Sequence, residues 1–316
     1  MNYHQLISKS EEIKTLSQDD NILHVAYGFD DNFSLGTGVS LVSLLENNQH
    51  IAISAHLFAL SLSKENKTKF IEIAQKYTNL ALTIYYVNDQ FDINEENKTL
   101  FPVSSALRII IPKILENIAP QVLYIDADTL IVSDLSEFLN FSKEPTIAAV
   151  GDFNPEKQIK RINLPSKNYF NAGILFINVP KWCEAFITEK SHTLLIENKF
   201  RNPDQDALNI LLYNQCHYLP EKYNYQVASG YIENNQPINR EKICIIHYIG
   251  QDKPWFTFFM PPIYQQYLNI SPWKHDKLKT ALNAGRIRVA SKSMKKSNKL
   301  KSFQFYIQYL YYKIFK

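Results

Sequence analysis

Short apolar runs alternate with amphipathic stretches along the first 130 residues. Ile22 to Tyr27 (Ile-Leu-His-Val-Ala-Tyr) is apolar and predicts a strand. Gly28-Phe29-Asp30-Asp31-Asn32-Phe33 breaks it with turn residues. Gly36 to Leu45 places Val39, Val42 and Leu45 at helical spacing, and Ile51 to Leu60 begins as a second strand. Lys64 to Tyr77 alternates Lys and Glu around Phe70, Ile71 and Ala74, an amphipathic helix. Leu80 to Val87 reads as a third strand, and Ser104 to Leu115 as a helix interrupted at Pro112. The next apolar run, Leu123-Tyr-Ile, ends at Asp126. Strands that alternate with helices imply βαβ units, and so an α/β fold with a mainly parallel central sheet flanked by helices.

The second half is less regular. Thr146 to Val150 and Tyr169 to Asn178 predict strands, Lys181 to Lys199 and Pro203 to Tyr213 predict helices, and Ile243 to Tyr248 is a late buried strand. In the tail, Leu300, Phe303, Ile307, Leu310 and Ile314 fall at helical spacing. No fixed-period repeat is present.

Composition narrows the class. With 316 residues, 45% hydrophobic and 21% charged, the chain is globular and long enough for a sizeable core. Cys183, Cys216 and Cys244 form neither a disulfide framework nor a zinc spacing, which points to a reducing compartment. Met1 to Asp20 is polar without a signal-peptide core, and no apolar run is long enough to span a membrane. The net charge of +3 hides an asymmetry. Nine of the 34 Lys/Arg and none of the 31 Asp/Glu lie from Arg286 onward, which leaves the remainder at −6. An acidic body with a basic tail is a positional signal, and not a general nucleic-acid-binding composition.

Five stretches carry candidate chemistry. In Leu123-Tyr-Ile-Asp126-Ala-Asp128-Thr-Leu-Ile-Val132, two carboxylates follow a strand two residues apart, on one side if the strand geometry persists. Such a pair suits Mg²⁺ or Mn²⁺ shared with a phosphate, or an ordinary solvated turn. After the first strand, Gly28 to Phe33 contains no Gly-x-Gly-x-x-Gly and no P-loop; Asp30 offers an acceptor for a base N–H and Asn32 a contact for ribose. In His247-Tyr-Ile-Gly250-Gln-Asp-Lys253-Pro-Trp255, the imidazole is a third metal ligand or a structural residue, while Gly250 and Lys253 suit a phosphate. Asn202-Pro-Asp204-Gln205-Asp206 and Tyr169-Phe-Asn171-Ala-Gly173 offer sugar-binding groups, or a helix cap and a strand bulge respectively.

Taken together these stretches resemble glycosyltransferase family 8, and within it the bacterial lipopolysaccharide core hexosyltransferases that use UDP-glucose or UDP-galactose. Val25-Ala-Tyr-Gly-Phe-Asp30, the Asp126-Ala-Asp128 stretch, Tyr169 to Gly173, Pro203-Asp-Gln-Asp206 and His247 to Trp255 occur in the family's order, and Ser271-Pro-Trp-Lys274 resembles its lipopolysaccharide branch. The resemblance implies a GT-A fold over residues 21–276, with a nucleotide-binding half to about 132 and a donor-sugar and acceptor half beyond. Residues 1–20 would be an extension and residues 277–316 a basic, aromatic membrane-docking tail. It implies Mn²⁺ (or Mg²⁺) held by Asp126, Asp128 and His247. The UDP-sugar would meet Gly28, Phe29, Asp30, Asp31, Asn32, Phe33, Arg108 and Ala127. Asn171, Ala172, Asp204 and Gln205 would line its sugar, and Gly250 and Lys253 its diphosphate.

Gln205, Asp204 and Lys253 are then the expected catalytic residues of a retaining hexosyltransferase acting on a lipopolysaccharide or lipooligosaccharide core. An amide at Gln205 is a poor nucleophile, so the expected course is front-face attack by the acceptor, without a glycosyl-enzyme. The implied place is the cytoplasmic face of a bacterial inner membrane. The alternatives are another acceptor (capsule, a protein, or the chain itself) and a non-catalytic UDP-sugar-binding membrane adaptor.

Overall fold

The computed structural model describes residues 1–16, 21–100, 103–227, 242–295 and 298–315. Its strands are β1 (Ile7–Lys14), β2 (Ile22–Phe29), β3 (Ala52–Ala59), β4 (Leu80–Val87), β5 (Gln121–Ile125), β6 (Thr129–Ile131), β7 (Ile147–Gly151), β8 (Phe170–Asn178), β9 (Cys216–Tyr218), β10 (Tyr225–Gln226) and β11 (Ile245–His247). Its helices are α1 (Ser34–Asn47), α2 (Lys64–Lys76), α3 (Glu95–Leu100), α4 (Leu107–Ile114), α5 (Pro155–Ile162), α6 (Val179–Glu184), α7 (Ile187–Glu197), α8 (Pro203–Leu212), α9 (Pro262–Ile270), α10 (Ala284–Met294) and α11 (Lys299–Phe315).

Eight strands form the central sheet in the order β1-β4-β3-β2-β5-β8-β7-β9. The β4-β3-β2-β5 block is parallel, as the alternation of strands and helices predicts. β8 runs antiparallel between β5 and β7. All nine residues of β8 are buried, which explains why it reads as a continuous apolar run instead of an alternating one. Neighbouring strand residues point to opposite cores. Val25, Leu123 and Ile174 pack under α1, α2, α9 and α10, whereas Ala26, Tyr124 and Leu175 pack under α4, α6, α7 and α8.

Four expectations change. The helix over Lys181 to Lys199 is broken into α6 and α7 at Phe186, which takes the left-handed conformation (φ 55°). The break lets Trp182 Nε1 donate to Thr188 Oγ1 at 2.9 Å and Thr188 to the Ile109 carbonyl at 2.8 Å, pinning both helices to α4. Pro112 lies inside α4 without ending it. Residues 7–14, expected outside the domain, are the edge strand β1, antiparallel to β4. The segment 277–316, expected as a docking tail beyond the domain, is built into it. Ile287, Ala290, Met294 and Phe305 are buried in the main core, and Arg286 makes a two-pronged ion pair with buried Asp252 at 2.7 and 2.6 Å. The apolar stripe of α11 faces outward all the same: Leu300, Phe303 and Ile314 are 70%, 62% and 71% exposed.

Candidate active site

The site forms where β2, β5 and their neighbours end, at the carboxyl edge of the parallel block. β5 stops at Ile125, so Asp126 and Asp128 are not on one strand; a turn at Ala127 and Asp128 brings them together instead. Tight pairing holds that turn. The Asp126 N–H donates to the Gly173 carbonyl at 2.8 Å, and Thr129 Oγ1 donates to the Asp126 carbonyl at 2.9 Å. β6 then leaves in a second sheet, ordered β10-β11-β6, in which His247 lies opposite Thr129. That register delivers the imidazole: His247 Nε2 is 3.3 Å from Asp128 Oδ1 and 3.7 Å from Asp126 Oδ2.

Among the described residues these three are the one cluster able to offer a metal three ligand atoms, all within 4.8 Å of one another. Two carboxylates and an imidazole fit a divalent cation. Gly173 keeps the space open, since a Cβ there would stand 2.1 Å from His247 Cε1 and 2.8 Å from Asp126 Oδ2. Burial opposes ionisation of Asp128, but Lys253 and His247 outweigh it and hold the carboxyl below its ordinary range. Lys253 donates directly to Asp128 Oδ2, which sets its ammonium beside the Asp126, Asp128 and His247 cluster.

Behind Asp126 stands Arg108, whose side chain is almost fully buried. Its guanidinium donates to Asp126 Oδ1 at 2.8 Å and the Ala172 carbonyl at 2.6 Å, and pairs with Asp204 Oδ2 at 2.9 Å. Burial works against the guanidinium's charge, yet Asp126 and Asp204 prevail and raise its pKa. Arg108 thus holds two carboxylates in place. Burial raises the pKa of Asp204 itself. Gln205, in the first turn of α8, accepts from the Ala172 N–H at 2.9 Å and donates to Asp152 Oδ2 at 3.2 Å and Tyr169 Oη at 3.3 Å. Asp206 is structural: fully buried, it takes both arms of Arg161 at 2.6 Å.

The register between β7 and β8 slips from Ala149–Leu175 to Gly151–Phe170, freeing the intervening residues of β8 from pairing with β7. Asn171 and Ala172 lie in that stretch, and both are buried. Asn171 spends its oxygen on the Gly173 N–H (3.0 Å) and on Asn224 (2.9 Å).

The turn after β2 divides its labour. Asp30 caps the next turn by accepting from the Asn32 N–H at 2.9 Å, and Asn32 is exposed. Asp31 is committed elsewhere, accepting from the Ser63 N–H at 2.7 Å and Asn66 Nδ2 at 2.9 Å. The Phe29 side chain belongs to the core against Phe70, and Gly28 is small because Leu107 Cβ would stand 2.7 Å from any Cβ there. Phe33 faces Trp255 edge-on and lies 6.0 Å from the Lys253 ammonium, which ties this turn to the loop after β11. In that loop Gly250 has φ +92° with open space around it, a conformation that favours glycine.

Three contributors escaped the sequence reading. Tyr124 donates to Asp126 Oδ1 at 2.7 Å, and strand alternation two residues before Asp126 could have found it. Asp152 and Asn224 sit in irregular segments with no periodic signal.

Residues 24–258 match the family model described as glycosyl transferase family 8, and residues 262–313 match glycosyl transferase family 8 C-terminal. The chain is 30% identical over 292 residues to a lipopolysaccharide 1,3-galactosyltransferase of Salmonella typhimurium, covering 87% of this chain and 86% of that one. It is 31% identical over 310 residues to the lipopolysaccharide glucosyltransferase WaaO of Escherichia coli, covering 92% and 91%. The solved structure of the bifunctional glycosyltransferase WbbM superposes with a TM-score of 0.67 at 22% identity, over 82% of this chain and 52% of that one. The galactosyltransferase LgtC, in complex with donor and acceptor sugar analogues, superposes at 0.63 and 18% identity, over 78% and 95%. These two likenesses bear on the fold.

Proposed function

The chain belongs to glycosyltransferase family 8, has the GT-A fold, and is a glycosyltransferase; we propose that it transfers glucose or galactose from a UDP-sugar to a lipopolysaccharide or lipooligosaccharide core, with retention of anomeric configuration. The convergence of Asp126, Asp128 and His247 beside Lys253 carries this reading. The names of the relatives support the core acceptor and leave both sugars open.

Mn²⁺ (or Mg²⁺), bound by Asp126, Asp128 and His247, would supply a Lewis acid that neutralises charge on the departing diphosphate. Lys253 adds a fixed cation at the same place. Asp30 and Asn32 would take the uridine, and the backbone at Gly250 the phosphates. The acceptor hydroxyl attacks the anomeric carbon on the face from which UDP leaves. One carbon–oxygen bond to phosphate breaks, one to the acceptor forms, and the hydroxyl proton leaves with the phosphate oxygen. Gln205 is fixed on both ends of its amide, so its oxygen can steady the cationic sugar without reorganising. Asp204 is occupied by Arg108, which also holds Asp126. The decisive test is Gln205→Ala: turnover is expected to fall by about 10²–10³ with UDP affinity kept, and full turnover would refute the role.

The outward stripe of α11, flanked by Lys299, Lys301 and Lys313, is suited to lie on an anionic membrane face. No helix among the described residues is long and apolar enough to cross a membrane. Peripheral docking at the cytoplasmic leaflet is therefore part of the proposal, since it would bring the site to a lipid-borne acceptor.

A further inference from the structure

His247 has two ring nitrogens, and only Nε2 faces the carboxylates. Nδ1 lies 3.0 Å from Oδ1 of Asn224. A neutral imidazole binds a metal through the nitrogen that lacks the proton, so the site depends on which nitrogen that is.

A chain of bonds decides it, beginning at a group with no freedom. The backbone N–H of Gly173 can only donate, and it donates to Asn171 at 3.0 Å, so the receiving atom is the amide oxygen. That same oxygen lies 2.9 Å from the Asn224 side chain, where it needs a donor; the Asn224 atom is therefore Nδ2. Asn224 must then turn Oδ1 toward His247, and an oxygen there requires the proton on Nδ1. The lone pair of Nε2 is left for the space between Asp126 and Asp128. The path closes on the cluster, because the Gly173 carbonyl accepts from the Asp126 N–H at 2.8 Å.

Burial makes the order rigid. Asn224 is 0% exposed and His247 4%, so water does not compete for these bonds. The fold delivers Asn224 by pairing β10 with β11, with Gln226 opposite His247 and the Val227 N–H on the His247 carbonyl at 2.8 Å.

We infer that Asn224 is a positioning residue of the metal centre, which sets the tautomer and orientation of His247 through a relay anchored on the Gly173 backbone. The inference rests on the proposed metal reading. Partners of this kind are worth about 10–100-fold in metal affinity.

The test needs no turnover. Wild-type protein, Asn224→Leu and Asn224→Asp are titrated with Mn²⁺ in the presence of UDP, free Mn²⁺ is read from its EPR signal, and thermal melts establish folding. Leucine matches asparagine in size and offers no acceptor, so Mn²⁺ affinity is expected to fall about 10–100-fold. Aspartate keeps an oxygen facing Nδ1–H but sets its other oxygen against the Asn171 oxygen, which needs a donor, so it is expected to bind Mn²⁺ less tightly than wild type and more tightly than the leucine variant. A packing role predicts the reverse, with leucine tolerated. Wild-type affinity in Asn224→Leu, or equal loss in both folded variants, would overturn the inference alone. Absence of Mn²⁺ binding by the wild-type protein would overturn the metal reading and this inference with it.

Discussion

Gly173→Ala is the smallest change that strikes the proposed metal centre. The added methyl would stand 2.1 Å from His247 Cε1, 2.8 Å from His247 Nδ1 and 2.8 Å from Asp126 Oδ2. Carbon atoms rest about 3.5 Å or more apart, so the imidazole must retreat by more than about 1 Å. It cannot retreat freely, because its backbone is paired with Thr129 and its Nδ1 is bonded to Asn224. Metal–ligand distances tolerate only about 0.2 Å, so His247 is lost as a ligand or the cluster opens. A displacement of about 1 Å costs on the order of 10²-fold in rate, about 2.7 kcal/mol at 1.36 kcal/mol per decade. Overpacking costs roughly 1–3 kcal/mol in stability, which a chain of this size survives folded. Donor hydrolysis is the assay, read as UDP release with Mn²⁺ titrated from micromolar to millimolar. Gly173→Ala should release UDP about a hundredfold more slowly and need more Mn²⁺, with its far-UV spectrum unchanged. Wild-type rate and wild-type Mn²⁺ dependence would refute the steric reasoning.

Acid should unfold the chain partly through His56, buried beside His24 (3.1 Å), where burial first and the neighbouring His24 second push its pKa down to about 3. The unfolded chain takes up that proton near pH 6.5, so stability is full above that value and drains as pH falls toward the folded value. At pH 5.5 the loss is about 1.4 kcal/mol; urea unfolding at pH 8 and 5.5 should show it, and His56→Gln should reduce it. Deleting residues 286–316 should lower stability and UDP release together, since it strips Ile287 and Ala290 from the core and leaves buried Asp252 without Arg286, a loss of about 3 kcal/mol for the pair alone. Replacing Phe303, Ile307 and Ile314 by Ser should instead leave melting and UDP release unchanged while abolishing sedimentation with anionic vesicles. Retained vesicle binding by that triple variant would exclude the stripe as the docking face.

The fold was legible where burial wrote a period into the chain. Leu80–Val87 appears with the predicted bounds, and β2, α1, α2 and α8 lie within about two residues of theirs, because each is an uninterrupted apolar or amphipathic run. The break at Phe186 was not legible, because the sequence on either side is helical and the turn goes with tertiary bonds of Thr188 to residues far away in sequence. The grouping of Asp126, Asp128 and His247 was legible from residue types, yet the way Asp126 and Asp128 come together was not: a turn does it, and a strand period was expected. Phe29 and Asp31 were expected at the donor, but their side chains face the core and the α2 cap, a distinction that depends on neighbours far away in sequence. Tail periodicity located the apolar stripe of α11 but could not say which way it faces, since a helix buried on one side and a helix docked on the other share one pattern.

The measurement that bears most directly on the central claim is UDP release from UDP-galactose and from UDP-glucose, without acceptor, in Mn²⁺ and again in chelator. Slow release from one of the two donors in Mn²⁺, abolished by the chelator and restored by added metal, is the predicted result. Release that the chelator leaves unchanged would contradict the role given to Asp126, Asp128 and His247, and tight UDP binding with no release from either donor would contradict the transfer itself.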